Sequence, residues 1–216
     1  MMIQDDNPYR HKAILDPSGK YQLEWLVKWN EKRVIFNVTV ATNGYVGFGL
    51  SRKGKMTGAD LIVGGVGKDG KPYFTDRHAI GNQLPKLDPS QDWTLHEAWE
   101  KGAQTFLSFS RPFETCDGDH DLPITDDVMT IIWAYSENDD ELQYHFQNRG
   151  GYNVYLLDPD LAPREMNNLR RNNGEEGSTR VFNVTGSITL NEEDFMYWCS
   201  YHKVPTRTKQ HIIGVS

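Results

Sequence analysis

Short stretches of alternating apolar and polar residues, cut by turn dipeptides at intervals of about ten residues, run through most of this chain and limit what it can fold into. Tyr21 to Val27 sets Tyr, Leu, Trp and Val against Gln, Glu and Leu, and Arg33 to Val40 puts Val34, Phe36, Val38 and Val40 on one side. The polar Asn30-Glu31-Lys32 between them predicts a hairpin. Asn43-Gly44 precedes a strand, Tyr45 to Leu50, whose interior glycines predict a close backbone approach or a bulge. Further strands are expected at Leu61 to Val66, Tyr73 to Thr75, Trp93 to Ala98, Thr105 to Ser110 and Met129 to Ala134, with a turn at Lys68-Asp69-Gly70-Lys71. No window keeps a helical period. The pattern predicts an all-β sandwich or barrel.

The character changes after Tyr152 to Leu157. Asp158 to Gly177 is rich in Asn, Arg and Pro and reads as a connector, and Val181 to Leu190 resumes a β pattern. The net charge of −7 opposes nucleic acid and anionic membranes as partners, because both require a basic face. No apolar run approaches the ~20 residues of a membrane span. Met1 to Lys12 is polar and shows no signal peptide, which alone argues for the cytosol. Against this stand two glycosylation sequons, at Asn37 and Asn183. The two cysteines, Cys116 and Cys199, fit one mutual bridge or two bridges with partners elsewhere.

Several ordered segments resemble the N-terminal region of the copper type II ascorbate-dependent monooxygenases, in the dopamine β-hydroxylase-like branch. They include Gly44-Tyr45-Val46-Gly47-Phe48-Gly49-Leu50-Ser51, Gly58-Ala59-Asp60-Leu61-Ile62-Val63-Gly64-Gly65-Val66 and Gln91-Asp92-Trp93. Arg111-Pro112-Phe113-Glu114-Thr115-Cys116-Asp117, Ile132-Trp133-Ala134-Tyr135 and Asn148-Arg149-Gly150 extend the match. The resemblance implies an immunoglobulin-like antiparallel β-sandwich, a DOMON domain, over residues 13–158. Residues 1–12 are then a disordered N-terminus and residues 159–180 a linker. Tyr197-Trp198-Cys199, Lys203-Val204-Pro205 and His211-Ile212-Ile213 resemble the opening of the family's first copper domain, so residues 181–216 are expected to be its incomplete start. It further implies a location in the secretory pathway, in a vesicle lumen or outside the cell. Within the family the Cys116 and Cys199 positions pair with segments beyond this chain, which would leave both without partners.

Catalysis by copper needs paired metal centres with several imidazole and thioether ligands. The seven histidines are scattered in sequence with no such frame, so a non-catalytic binding or regulatory module is expected. Copper and ascorbate belong to the full-length parent, whose copper core is the expected partner. Two cofactors are candidates for the domain itself. Haem-binding relatives suggest haem b held by Met56 and His145, a pair that suits electron transfer because a thioether raises the reduction potential; the plainer reading is a loop Met and a surface His. Hydroxylase relatives suggest a Ca²⁺-like ion held by the carboxylates of Asp60 and Asp92 and the carbonyls of Leu61 and Arg77; the plainer reading is a turn cap and a solvated side chain. Asp117-Gly118-Asp119-His120-Asp121 lacks the Gly and Glu of a calcium loop and reads as an acidic solvated turn. Trp25, Trp29, Trp93, Trp99 and Trp133 are candidates to stack a small aromatic or sugar ligand, with core packing the competing explanation for Trp25 and Trp133. A purely structural interface domain is the remaining alternative.

Overall fold

The alternation seen in the sequence becomes two antiparallel sheets in the computed structural model, which describes residues 10–157. The strands are β1 (Arg10–Ile14), β2 (Tyr21–Lys28), β3 (Arg33–Val40), β4 (Val46–Ser51), β5 (Asp60–Val66) and β6 (Pro72–His78), followed by β7 (Lys86–Leu87), β8 (Thr94–Glu100), β9 (Thr105–Pro112), β10 (Met129–Tyr135) and β11 (Arg149–Val154). One sheet has the order β1-β2-β3-β9-β8 and the other β11-β10-β4-β5-β6-β7. The predicted β2–β3 hairpin is present, closed by a 3₁₀ turn at Trp29–Glu31, with Lys32 in the left-handed region that lets the chain reverse tightly. A β-sandwich is the observed architecture.

Three strands were not expected. Arg10, His11 and Lys12, assigned above to a disordered N-terminus, lie in β1 and pair with Leu26, Trp25 and Glu24. Their polarity hides the strand because β1 is an edge, with only one neighbour to satisfy. The same holds for the two-residue β7 and for β11, another edge strand. All described residues belong to one compact unit; the expected linker at 159–180 and the segment 181–216 lie outside them.

The inner faces meet in a knot of rings. Phe36 packs 5.0 Å from Phe48 and 5.8 Å from Trp93, and Phe109 lies 5.3 Å from Phe48 and 5.7 Å from Trp93 between centroids. Each such side chain contributes about 1.5–3 kcal/mol by leaving water. Trp25, Trp29, Trp93 and Trp133 are all buried and so are not available as a stacking platform for a ligand; their large apolar area is spent on the core. Trp99 alone of the five is exposed, stacked 5.0 Å from Phe106 on the outside of β8 and β9.

Gly49 is the close approach that the β4 sequence predicts. A Cβ there would stand 2.6 Å from Leu61 Cβ and 2.9 Å from the Asp60 carbonyl, so β4 and β5 can sit at this separation only with glycine. Gly49→Ala is expected to cost about 1–3 kcal/mol, read as a lower midpoint in urea unfolding with an unchanged slope; an unchanged midpoint would show that β5 can shift freely.

Candidate functional site

One end of the sandwich carries charge inside the core. Arg111, near the end of β9, is fully buried, and so is Asp60 at the start of β5. Arg111 Nη2 lies 3.0 Å from Asp60 Oδ2 and 3.4 Å from Asp121 Oδ2. Neither contact is aligned as a hydrogen bond, so the attraction is mainly Coulombic. Arg111 Nη1 donates to the Leu122 carbonyl at 2.6 Å, and the guanidinium lies over the Trp93 ring at 5.3 Å. Trp93 Nε1 donates to Asp60 Oδ1 at 2.8 Å, and the Leu122 amide donates to Asp60 Oδ2 at 3.2 Å.

Asp76 completes the group. Asp60, Asp76 and Asp121 each offer a carboxylate oxygen, all within 4.8 Å of one another and all buried. Asp76 reaches this place by register: it pairs with Ile62 across β5 and β6, and period-two alternation puts it on the same inward face as Asp60. Its Oδ2 accepts from the Asp92 amide at 2.8 Å, while its Oδ1 and Asp92 Oδ2 are buried with no hydrogen-bond partner among the described residues. Gln91 fastens the strand by accepting from the Asp76 amide and donating to the Asp76 and Asp88 carbonyls.

The cluster therefore sets three inward carboxylates close together, two of them against one guanidinium. Burial pushes the Asp60 carboxyl up to about 6, with Arg111 opposing and Asp121 reinforcing the rise. Burial pushes Asp76 up to about 7, opposed by the Asp92 amide and reinforced by Asp60, Asp121 and Asp88. A region with excess buried carboxylate relieves its energy by taking up protons or a cation.

Of the residues expected to hold a hard cation, Asp60 lies in this cluster and Asp92 touches it through its backbone amide. Leu61 and Arg77 are register partners on the opposite face. The Leu61 side chain joins an outer apolar cluster, and Arg77 donates to Thr75 Oγ1 and the Pro85 carbonyl, so anything they offer the cluster is backbone. Asp76, Asp121 and Arg111 were not anticipated. The pleat could have identified Asp76, since a residue two along from His78 must share the Asp60 face. Asp121 corrects the reading of Asp117–Asp121 as a solvated turn: Asp119 is exposed, but Asp121 is drawn inside by Arg111.

The haem pair lies at the outer face of the second sheet. Met56 packs against the cluster of Tyr45, Ala59, Leu61, Val63 and Ala79, which Tyr73, Ile132 and Leu142 also cover. His145 stacks on Tyr144, its Nδ1 is buried without a partner, and burial lowers its pKa. Tyr45 Oη donates to the Gln143 carbonyl at 2.7 Å, tying the loop of His145 over this face. Met56 thus belongs to an apolar cluster on this face rather than standing free as a loop side chain. Cys116 is exposed and free, whereas Cys199 and Asn183 lie outside the described residues. Asn37 is half-buried in the middle of β3, between Glu24 and Ser108, rather than on the surface loop where glycosylation usually occurs.

A DOMON domain model matches residues 17–136. The chain belongs to the DOMON-domain family. Its DOMON domain is of the kind found in DBH-like monooxygenase proteins: the chain is 36% identical over 207 residues to DBH-like monooxygenase protein 1 of Gallus gallus, covering 94% of this chain and 31% of that protein. It is 36% identical over 212 residues to the Mus musculus protein of that name, covering 96% and 32%. Dopamine beta-hydroxylase of Bos taurus is 25% identical over 214 residues, covering 96% and 33%. The chain spans about a third of the length of the curated relatives it matches. The cytochrome domain of Myriococcum thermophilum cellobiose dehydrogenase shares the fold at a TM-score of 0.54 and 16% identity, covering 76% of this chain and 95% of that one. The cytochrome b domain of Coprinopsis cinerea pyranose dehydrogenase does so at 0.53 and 16%, covering 66% and 80%.

Two outcomes follow for the DOMON cluster. Arg111→Met leaves Asp60 and Asp121 without their countercharge and is expected to cost about 3–5 kcal/mol; in urea unfolding, adding Asp60→Asn should recover part of the loss, and strict additivity would count against the pairing. Asp60 and Asp76 hold their protons more tightly folded than unfolded, where the ordinary value is 3.8. Their stabilising contribution is therefore complete below that value and lost as pH rises through about 6 to 7. In chelator, the wild-type Tm should fall relative to Asp76→Asn between about pH 5 and 8; parallel curves would show that the Asp76 proton does not matter.

Proposed function

We propose that this DOMON domain is a non-catalytic, cation-binding regulatory module of a DBH-like monooxygenase, and that its ligand is a Ca²⁺-like hard ion. The observation that carries the reading is the buried trio Asp60, Asp76 and Asp121, with ligand oxygens within 4.8 Å of one another and Arg111 paired to Asp60 and Asp121 but not to Asp76. All-oxygen, carboxylate-rich ligation suits hard cations. The Asp92 carboxylate, which is also partly buried and unpartnered at Oδ2, is a further donor. Backbone carbonyls of Leu61 and Arg77 complete the proposed set.

An ion here would tie β5, β6 and the loop before β10 together, so it would set the shape of this end of the sandwich. The copper core of the parent protein, which brings copper and ascorbate, is the proposed partner. The segment between β6 and β8 supports docking, because it exposes Ile80, Leu84 and Leu87. Extracellular calcium-binding modules work with dissociation constants of about 10⁻⁴–10⁻³ M, which accords with a proposed location in the secretory pathway, a vesicle lumen or outside the cell. Trp99, exposed on Phe106, is the position best suited to a small aromatic or sugar ligand.

Calcium titration of the chelator-treated protein, followed by Tm and calorimetry, tests the reading. Calcium should raise Tm in wild type and do nothing in Asp76→Asn. A flat response in wild type, or an equal rise in the variant, overturns it. A sharp Soret band on adding haem, lost in Met56→Ala and His145→Ala, would instead restore the electron-transfer alternative.

A further inference from the structure

Next to the aspartate cluster, and separate from it in chemistry, three chain segments bring nitrogen and oxygen donors together. His78 ends β6, Asp88 follows β7, and the loop after β9 supplies Asp117 and His120. Cys116 turns this loop through a positive φ of 65°, and the Asp121 amide donates to the Asp117 carbonyl at 2.9 Å, folding His120 back over the sheet. The two imidazoles stack with centroids 4.1 Å apart and planes 13° from parallel.

Both rings aim the same atom at the same oxygen. His78 Nδ1 lies 3.0 Å and His120 Nδ1 3.6 Å from Asp88 Oδ2, and Asp117 Oδ2 lies 3.5 Å from His120 Nδ1. Asp88 is a buried, fixed carboxylate, its other oxygen accepting from the Ser90 amide at 3.0 Å. His120 Nδ1 is buried with no hydrogen-bond partner. Ion pairing alone accounts poorly for this arrangement. Only His78 is hydrogen-bonded to Asp88, at 3.0 Å, while His120 Nδ1 faces the same oxygen with no hydrogen-bond partner among the described residues.

A tetrahedral ion with bonds of about 2.0–2.1 Å to N and O has ligand-to-ligand edges of about 3.3 Å. The separations of 3.0 and 3.6 Å within His78, Asp88 and His120 bracket that edge. We propose that His78, Asp88 and His120, whose donor atoms lie within 4.8 Å of one another, form a three-ligand site for a divalent transition ion of the zinc class, with the fourth position open to solvent. Imidazole with carboxylate selects borderline ions, whereas the all-oxygen aspartate cluster selects hard ones. An open depression of about 580 Å³, lined by His78, His120, Lys86 and Asp119 among others, gives an ion a route in from solvent. The inference does not rest on calcium binding at Asp60, Asp76 and Asp121.

The test uses the full chain, freed of metal by dialysis against chelator, with Co²⁺ as the visible probe and Zn²⁺ as competitor. One equivalent of Co²⁺ should give ligand-field absorption of tetrahedral intensity that Zn²⁺ abolishes and excess Ca²⁺ leaves in place. His78→Ala and His120→Ala, each verified as folded by circular dichroism, should weaken Zn²⁺ binding at least about tenfold. Cys116→Ser should leave the cobalt spectrum unchanged, because the donor set contains no sulfur. Asp76→Asn should keep the cobalt signal, so that failure of the calcium reading and failure of this one are distinguishable. Absence of binding at millimolar Zn²⁺, or Zn²⁺ binding that neither histidine variant weakens, overturns the proposal.

Discussion

The buried guanidinium of Arg111 holds the charged end of this sandwich together. It faces Asp60 from one sheet and Asp121 from the loop before β10, lies over Trp93, and donates to the Leu122 carbonyl. Taking an arginine out of water costs several kcal/mol unless charge and hydrogen bonds compensate. Here the compensation comes from chain segments distant in sequence, so the ion pairs also act as a registration device. Trp93 couples that device to the aromatic core by donating to Asp60 from within the ring knot.

Charge balance then separates this end from the rest of the molecule. Most of the remaining interior is an ordinary hydrophobic filling of Val, Leu, Phe and Trp, with a few buried polar side chains such as Asp16 and Thr105. At the Arg111 end the carboxylates outnumber the cation, and two of them have carboxyls displaced upward by burial. Stability alone does not call for such an arrangement, since apolar residues of similar volume often serve as well. The proposed binding role would account for a polar group placed where the two sheets and a long loop converge.

Much of the fold was legible because a central strand is read twice, once by each neighbour. Residues 34, 36, 38 and 40 of β3 are buried without exception, and their alternation shows directly in the sequence. The edge strands β1 and β11 answer to one neighbour only, so their sequences carry a weaker pattern, and Arg10-His11-Lys12 reads as a tail. The site was legible in part for a related reason. Asp60 stands out in a motif, but Asp76, Asp121, His78, Asp88 and His120 come from segments with no fixed spacing. Only the β5–β6 register and the fold of one loop bring them together. Tryptophan was the least informative residue type, since its preference for sheets fits burial and ligand stacking equally well.

The loop from Asp117 to Leu122 has a thermodynamic consequence. Asp121 belongs to the aspartate cluster and His120, its immediate neighbour, to the histidine pair. Whatever orders one residue has already met most of the entropic cost of ordering the other. If both proposed sites take ions, occupancy at one would be linked to occupancy at the other through the freedom of this six-residue segment, without any shift of the sheets. Such a loop would make the domain responsive to the product of two concentrations rather than to either alone.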